Sequence, residues 1–324
     1  MKMSIQNSVF IYFCFLVTLT FGQQSKNREN GPKISIGAYV ADQADSLPLQ
    51  SKDLLLNKLN QLITANGITN GAIGTRFILT PKINELTKDI ISGAPTMVAL
   101  TLEITFYVGD GIAGRKFSST SITVKAVGTN LTKAYIDGIK KIMPNDPNLV
   151  KVLADGKAKI VEYYNTNCES IIKTAQAAAA AGKLEEAITQ LTNIPEVCKV
   201  CYDKGMNAAE PFYKKYIDQQ CGIKLTQAHS AWNANQNATG AKNAGEFLAK
   251  IDPTAACYSQ AHALNEEITK RMVELGDKEF SLKMKMRETE VELEKAKLEA
   301  YKEISVAYYK RPNAVIVYNV NGWW

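Results

Sequence analysis

Histidine is almost missing from this chain: His229 and His262 are the only two in 324 residues. That scarcity argues against a metal centre or a catalytic triad built on imidazole. A strong charge of one sign is missing too. Thirty-eight Lys and Arg against thirty-two Asp and Glu leave +6, too mild a balance to argue for nucleic acid. After the N-terminal segment, no run approaches the ~18 consecutive apolar residues of a membrane-spanning helix. Neither a Gly-x-Ser-x-Gly nucleophile elbow nor a His-Glu-x-x-His zinc motif occurs. Gly109-Asp110-Gly111-Ile112-Ala113-Gly114 is rich in glycine, but it leads from one strand pattern into another. No helix N-terminus is available there to meet a phosphate, so it reads as a hairpin turn. Gly182-Lys183 lacks the upstream glycine and the Ser/Thr of a phosphate loop. No catalytic residue, cofactor or metal ligand is expected from these patterns, and the chain reads as a non-enzyme.

What is present is the make-up of a folded protein, 46% hydrophobic and 22% charged, which excludes wholesale disorder. The length favours two domains, or one domain with an elongated part. Residues 1–22 read as a secretory signal. Lys2 supplies a positive start, Val9 to Phe21 is apolar apart from two threonines, and Thr20-Phe21-Gly22 places small residues for a cut before Gln23. The apolar run is short against the ~20 residues needed to span a bilayer. Cys14 has no small residue before it and does not read as a lipid acceptor. The expected address is export to the periplasm, the outer-membrane periphery or the extracellular space, with no transmembrane segment in the mature chain. The Gln-rich start after the cut resembles exported proteins of Bacteroidetes-type bacteria. Asp45-Ser46-Leu47 resembles the short acceptor of periplasmic O-glycosylation in those bacteria, which makes Ser46 a candidate glycosylation site.

After a flexible stretch at 23–32, residues 33–143 read as an α+β domain. Ile34, Ile36 and Ala38 alternate as a strand. Leu55, Leu59, Leu62 and Ile63 share a helix face that Gly67 stops. Phe77-Ile78-Leu79 starts a second strand. Val98, Leu100, Leu102, Ile104, Phe106 and Val108 then alternate with Ala99, Thr101, Glu103, Thr105 and Tyr107, the clearest period of two in the chain. Phe117 to Val127 returns as a Ser/Thr-rich strand, and Gly128-Thr129 caps a helix carrying Leu131, Tyr135, Ile139 and Ile142. The order β-α-β-β-β-α predicts a sheet with helices on one face. That order resembles the small periplasmic domain of the curli-secretion lipoprotein and flagellar-assembly families, in which the domain is an assembly module. The lipid-anchoring cysteine of the curli-secretion type is absent, and no functional residue carries over.

Pro144-Asn145-Asp146-Pro147 marks a boundary. Residues 148–263 read as helical with an internal repeat: Lys173 to Ala177 returns as Lys224 to Ala228 and in part as Ser259-Gln260-Ala261. Ile194-Pro195 returns as Ile251-Asp252-Pro253, and Cys201-Tyr202 as Cys257-Tyr258. Each unit reads as two helices joined at a glycine, Gly182 or Gly240, and closed by a proline. The pattern resembles tetratricopeptide-type helical hairpins, although the spacing of the units is uneven. His229 and His262 follow Gln-Ala pairs one repeat apart and read as equivalent helix residues.

Residues 264–311 shift to a long charged helix, with eleven Lys/Arg and eleven Asp/Glu. Met286, Leu293, Ala300 and Ala307 recur every seven residues, a thin seam that fits either a coiled coil or a solvated helix packed along one side. Pro312 ends it, and 312–324 reads as a strand finished by two tryptophans. Val315, Val317, Tyr318, Trp323 and Trp324 are the candidate interaction residues, because an unpaired strand adds readily to another sheet. The alternative is that this segment folds back onto its own first domain.

Removal of the signal leaves Cys168, Cys198, Cys201, Cys221 and Cys257. Cys198-Lys199-Val200-Cys201 sits among helices, without the βαβ setting of a redox pair or the further ligands of a zinc site. In an oxidising compartment, structural disulfides are the default. Stacked hairpins set the first helix of one unit beside the first helix of the next. The repeat alignment therefore predicts Cys168–Cys201 and Cys221–Cys257, with Cys198 left over; Cys168–Cys198 is the competing pair. The whole reads as a scaffold with protein partners at the bacterial cell envelope, itself among them. The alternative is a soluble protein binding peptide or glycan in the hairpin groove.

Overall fold

The computed structural model describes residues 34–41, 47–70, 75–276, 290–309 and 318–323. An α+β sheet layer is followed by a helical layer. Strand β1 (Ser35–Ala38) leads to helix α1 (Leu49–Ala65), then β2 (Thr69–Asn70), β3 (Phe77–Ile91), β4 (Met97–Asp110), β5 (Arg115–Gly128) and helix α2 (Leu131–Lys140). The strands lie in the order β2-β1-β3-β4-β5. β1 is parallel to β2 and β3, while β3, β4 and β5 form an antiparallel meander. The predicted element order thus gains one two-residue strand. β3 also runs far beyond the Phe77-Ile78-Leu79 start, straight through Pro81. A proline lacks the N–H needed by a central strand, but β1 pairs only with Ile78 and Leu79. From Thr80 onward β3 is an edge, where proline is tolerated.

Leu100, Leu102, Ile104, Phe106 and Val108 of β4 are buried in one core with Leu55, Leu59, Leu62 and Ile63 of α1 and Tyr135 and Ile139 of α2. Asn130 caps α2, its side chain accepting from the Lys133 N–H, one residue after the predicted Gly128-Thr129. The opposite face carries a second, smaller core of Ala41, Ile78, Tyr107, Val320 and Trp323.

Helix α3 (Pro147–Thr166) begins at the predicted boundary. Asp146 caps it by accepting from the N–H groups of Asn148 and Leu149, and Pro147 occupies the first turn, where its missing donor costs nothing. Yet α3 lies on the sheet. Ser118 donates to the Val152 carbonyl at 2.7 Å, and Tyr164 packs edge-on against Phe77. One hydrophobic core therefore runs from the sheet into the helices.

The helical layer continues with α4 (Cys168–Ala180), α5 (Leu184–Thr192), α6 (Lys199–Ala234), α7 (Ala238–Leu248), α8 (Tyr258–Glu274) and α9 (Glu290–Tyr309). α6, at 36 residues, is almost three times the length of α4, which accounts for the uneven spacing of the repeat. It buries Cys201, Gly205, Ala209, Tyr213, Ile217, Cys221 and Leu225 at steps of four, then Ala228 and Trp232. Gly182 makes the expected turn between α4 and α5, with φ of 80°. Gly240 does not make the second. It lies inside the first turn of α7, which Asn237 caps, and a Cβ there would meet the Asn235 carbonyl oxygen. Close approach, not a turn, requires that glycine.

The long charged helix is also revised. α8 ends at Glu274, followed by Gly276 at φ 97°, a left-handed position that favours glycine. α9 does not project. It buries Tyr301, Ile304 and Ser305, a step of three and four residues that makes one face of a helix, and lays that face on the hairpins. Ala307, on the predicted heptad seam, is exposed, and Met286 lies outside the described residues.

Candidate functional site

The most unusual polar group in the fold is a buried ion pair at the junction of sheet and helices. Arg76 immediately precedes β3 and Asp110 ends β4; the register that pairs Phe77 with Asp110 brings them together. Arg76 Nε donates to Asp110 Oδ2 at 2.6 Å. Asp110 is 1% exposed, and its Oδ1 accepts from the N–H groups of Ile112 and Ala113 at 3.1 and 2.9 Å. The glycine-rich turn is thus folded around a carboxylate, and the Gly111 N–H reaches back to the Arg76 carbonyl at 2.9 Å.

Arg76 also forms part of the wall of two clefts. One, of about 520 Å³, lies between the β1–β3 end of the sheet and α5, α6 and α9, with Phe77, Ile194, Pro195, Met206, Leu298 and Tyr301 among its walls. The other, of about 290 Å³, is bounded by Tyr163, Tyr164, Asn167 and Gln190. The Tyr164 and Tyr301 hydroxyls are buried and have no hydrogen-bond partner among the described residues. Burial depresses the Arg76 guanidinium, but the facing Tyr164 and Asp110 outweigh it and hold its pKa above the ordinary value. Burial raises the Tyr164 phenol and pushes Tyr301 up to about 12, so both remain protonated at neutral pH.

The cysteines are paired between successive hairpins. Cys168 at the start of α4 is bonded to Cys201 in the first turn of α6, with Cα atoms 5.6 Å apart. Cys221 in α6 is bonded to Cys257, which precedes α8, at 6.0 Å. Cys198 is buried and outside any disulfide, its thiol directed at the Val161 carbonyl at 3.9 Å. These are the pairs that the repeat alignment singles out, and the competing Cys168–Cys198 pair is not formed. His229 and His262 sit exposed on α6 and α8, and His262 Nδ1 lies 3.4 Å from Glu266. Among the described residues no group of three His, Cys, Asp or Glu side chains is placed to hold a metal ion. No helix among them is long and apolar enough to cross a membrane.

The C-terminal residues take the intramolecular placement, which corrects the picture of a strand carried away from its own core. Tyr318 donates to the Thr75 carbonyl at 3.0 Å and packs on Tyr39. The Asn319 N–H bonds the Gly111 carbonyl. Trp323 is buried beside Tyr107, its indole N–H donating to the Gly114 carbonyl at 2.9 Å. An amphipathic segment finds bare apolar sheet face within its own chain, at Ile78 and Tyr107, and covers it. Residues 318–320 are not paired as a strand. Val315, Val317 and Trp324 lie outside the described residues, as do Ser46 and the N-terminal segment 1–22.

α9 lies along the hairpins and leaves a cleft of about 410 Å³ between itself, α6 and the end of α7, in the groove expected to receive a ligand. Thr192 and Ser305 share a 2.6 Å hydrogen bond, Asn193 donates to the Tyr309 hydroxyl at 2.8 Å, and Tyr213 stacks edge-on with Tyr301. In the sequence Asp110 reads only as a turn residue, and no pattern marks Arg76. A buried charge beside an apolar strand start is a signal, but its partner is defined only by strand register.

No protein-family model matches the chain, and no curated protein matches it. Among solved structures, a minor lipoprotein of Acinetobacter baumannii is similar over 29% of this chain and 65% of its own length, with 21% identity and a TM-score of 0.22. The chain thus spans just under two thirds of that protein. A protein of Caulobacter crescentus CB15 described as a lipoprotein is similar over 39% of this chain and 83% of its own, with 13% identity and a TM-score of 0.20. At such scores these likenesses carry no argument about function.

Proposed function

We propose that the chain is an exported, non-enzymatic protein of the bacterial cell envelope that works by binding other proteins. The observation that carries this reading is the pair of disulfides joining successive hairpins, since such bonds form and persist outside the reducing cytosol. The signal-like segment before Gln23 supports the same address, in the periplasm, at the outer-membrane periphery or outside the cell. The likeness of the first domain to curli-secretion and flagellar-assembly modules, and of the helical hairpins to tetratricopeptide units, supports a role in assembly. The Bacteroidetes-type start supports the kind of cell. Two measurements test it. N-terminal sequencing of the native protein is expected to begin near Gln23; an intact Met1 in the soluble cell fraction overturns export. A pull-down from envelope extract with the mature chain, read by mass spectrometry, is expected to enrich envelope proteins over a bare-resin control, and equal recovery overturns the binding role.

A second reading, a soluble ligand-binding protein, is favoured by one observation: the clefts walled by Arg76 remain open at the junction of sheet and helices.

A further inference from the structure

We infer that the Arg76 cleft binds a carboxylate attached to an apolar body, supplied either by a small organic acid or by the C-terminal residue of a peptide. The inference rests on the ligand-binding reading and is independent of assembly.

Three features carry it. The first is the state of the ion pair. Asp110 is met by three donors, Arg76 Nε and the N–H groups of Ile112 and Ala113. Its charge is spread over the turn, and the guanidinium needs to offer it only one edge. The two Nη groups of Arg76 have no hydrogen-bond partner among the described residues, although its side chain is only 23% exposed. A guanidinium donates and never accepts, and its paired Nη groups match the two oxygens of a carboxylate.

The second feature is the pair of unmatched phenols. Tyr301 lines the larger cleft and Tyr164 the smaller, both 2% exposed, and neither hydroxyl has a partner. A buried polar atom without a partner is unfavourable, so a ligand group that pairs with it is bound the more tightly. A phenol can give or take a hydrogen bond, whereas the Arg76 Nη groups only donate, so the ligand group that suits both is an acceptor.

The third feature is the lining. Phe77, Ile194, Pro195, Met206 and Leu298 supply apolar and aromatic surface, while Lys302 and Glu196 at the rim offset each other. About 520 Å³ falls within the ~300–1,000 Å³ of small-molecule sites. It holds one or two residues of a peptide, or a branched acid of similar size.

The test uses the mature chain and isothermal titration calorimetry with N-acetyl-leucine, its uncharged amide N-acetyl-leucinamide, and the peptide acetyl-Gly-Gly-Leu with a free carboxylate. The acid is expected to bind and the amide to bind about tenfold more weakly or less, because one charge-assisted contact is worth that factor. Tighter binding of the peptide than of N-acetyl-leucine assigns the source as a peptide C-terminus; equal or weaker binding assigns a small acid. Arg76→Lys is expected to lose at least tenfold. Tyr301→Phe leaves every protein hydrogen bond in place, and it is expected to weaken the acid by about fivefold with an unchanged or higher Tm. Equal binding of acid and amide, or an unchanged affinity in Tyr301→Phe and Arg76→Lys together, overturns the carboxylate assignment and leaves the ligand-binding reading standing. Binding of none of the three probes removes both.

Discussion

Arg76 and Asp110 show how one residue pair holds the junction of two layers. Removing a single member leaves an uncompensated buried charge, which costs about 3–5 kcal/mol. Arg76→Ala is therefore expected to lose stability on that scale in urea denaturation. Arg76→Met combined with Asp110→Asn is expected to recover part of it, because no charge is then stranded. Tyr301 makes a prediction about pH. Its phenol titrates near 10 in an unfolded chain and at about 12 in the fold, where burial disfavours the anion. Above pH 10 the unfolded chain therefore releases a proton that the folded chain keeps, and stability falls as pH rises from about 10 to 12. The loss from this one group is about 2–3 kcal/mol by the top of that window. Tyr301→Phe removes the titrating group, so its urea midpoint is expected to fall less between pH 9.5 and 11.5 than that of the parent.

At the scale of elements, two segments whose pattern leaves open whether they project or fold back are drawn in by bare apolar surface. α9 presents Tyr301 and Ile304 to the hairpins, with Lys297 paired to Glu210 and Glu294 at 2.9 Å. The C-terminal residues cover Ile78 and Tyr107 on the second face of the sheet. Trp323 closes that small core and carries an indole hydrogen bond to Gly114, while Lys116 donates to the Trp323 carbonyl at 3.0 Å. Trp323→Ala is expected to cost about 3–5 kcal/mol, the usual loss for a buried tryptophan, with helical circular dichroism unchanged before the transition. A variant as stable as the parent would show that this segment does not hold the sheet.

At the scale of the whole molecule, the disulfides and the continuous core make the helical layer one frame. They close separations of 33 and 36 residues, each worth about 3–4 kcal/mol in the chain-entropy model. A non-reducing peptide map is expected to show Cys168 with Cys201 and Cys221 with Cys257. Cys198, whose thiol burial pushes up in pKa, is expected to alkylate only after denaturation. Alkylation of all five cysteines from Cys168 to Cys257 without reductant would contradict the pairing. Reduction with the chain otherwise intact is expected to lower the urea midpoint, with the loss shared between two loops of similar length.

Much of this was determined by the sequence alone. The period of two in β4 requires a sheet with one buried face, because side chains alternate along any strand. The steps of three and four in α1 and α2 fix the helices that cover it. The repeated Cys-Tyr pair placed the disulfides, because equivalent positions of stacked hairpins are neighbours whatever the loops between them do. Three other features were decided only by tertiary structure. The Arg76–Asp110 pair spans 34 residues and exists through strand register, which a linear pattern does not encode. Gly240 owes its place to the Asn235 carbonyl rather than to a turn, a matter of backbone proximity. The placement of α9 and Trp323 was settled by which apolar faces of the same chain were left uncovered. An amphipathic segment carries the information that it will bury one face; only the folded remainder decides against what.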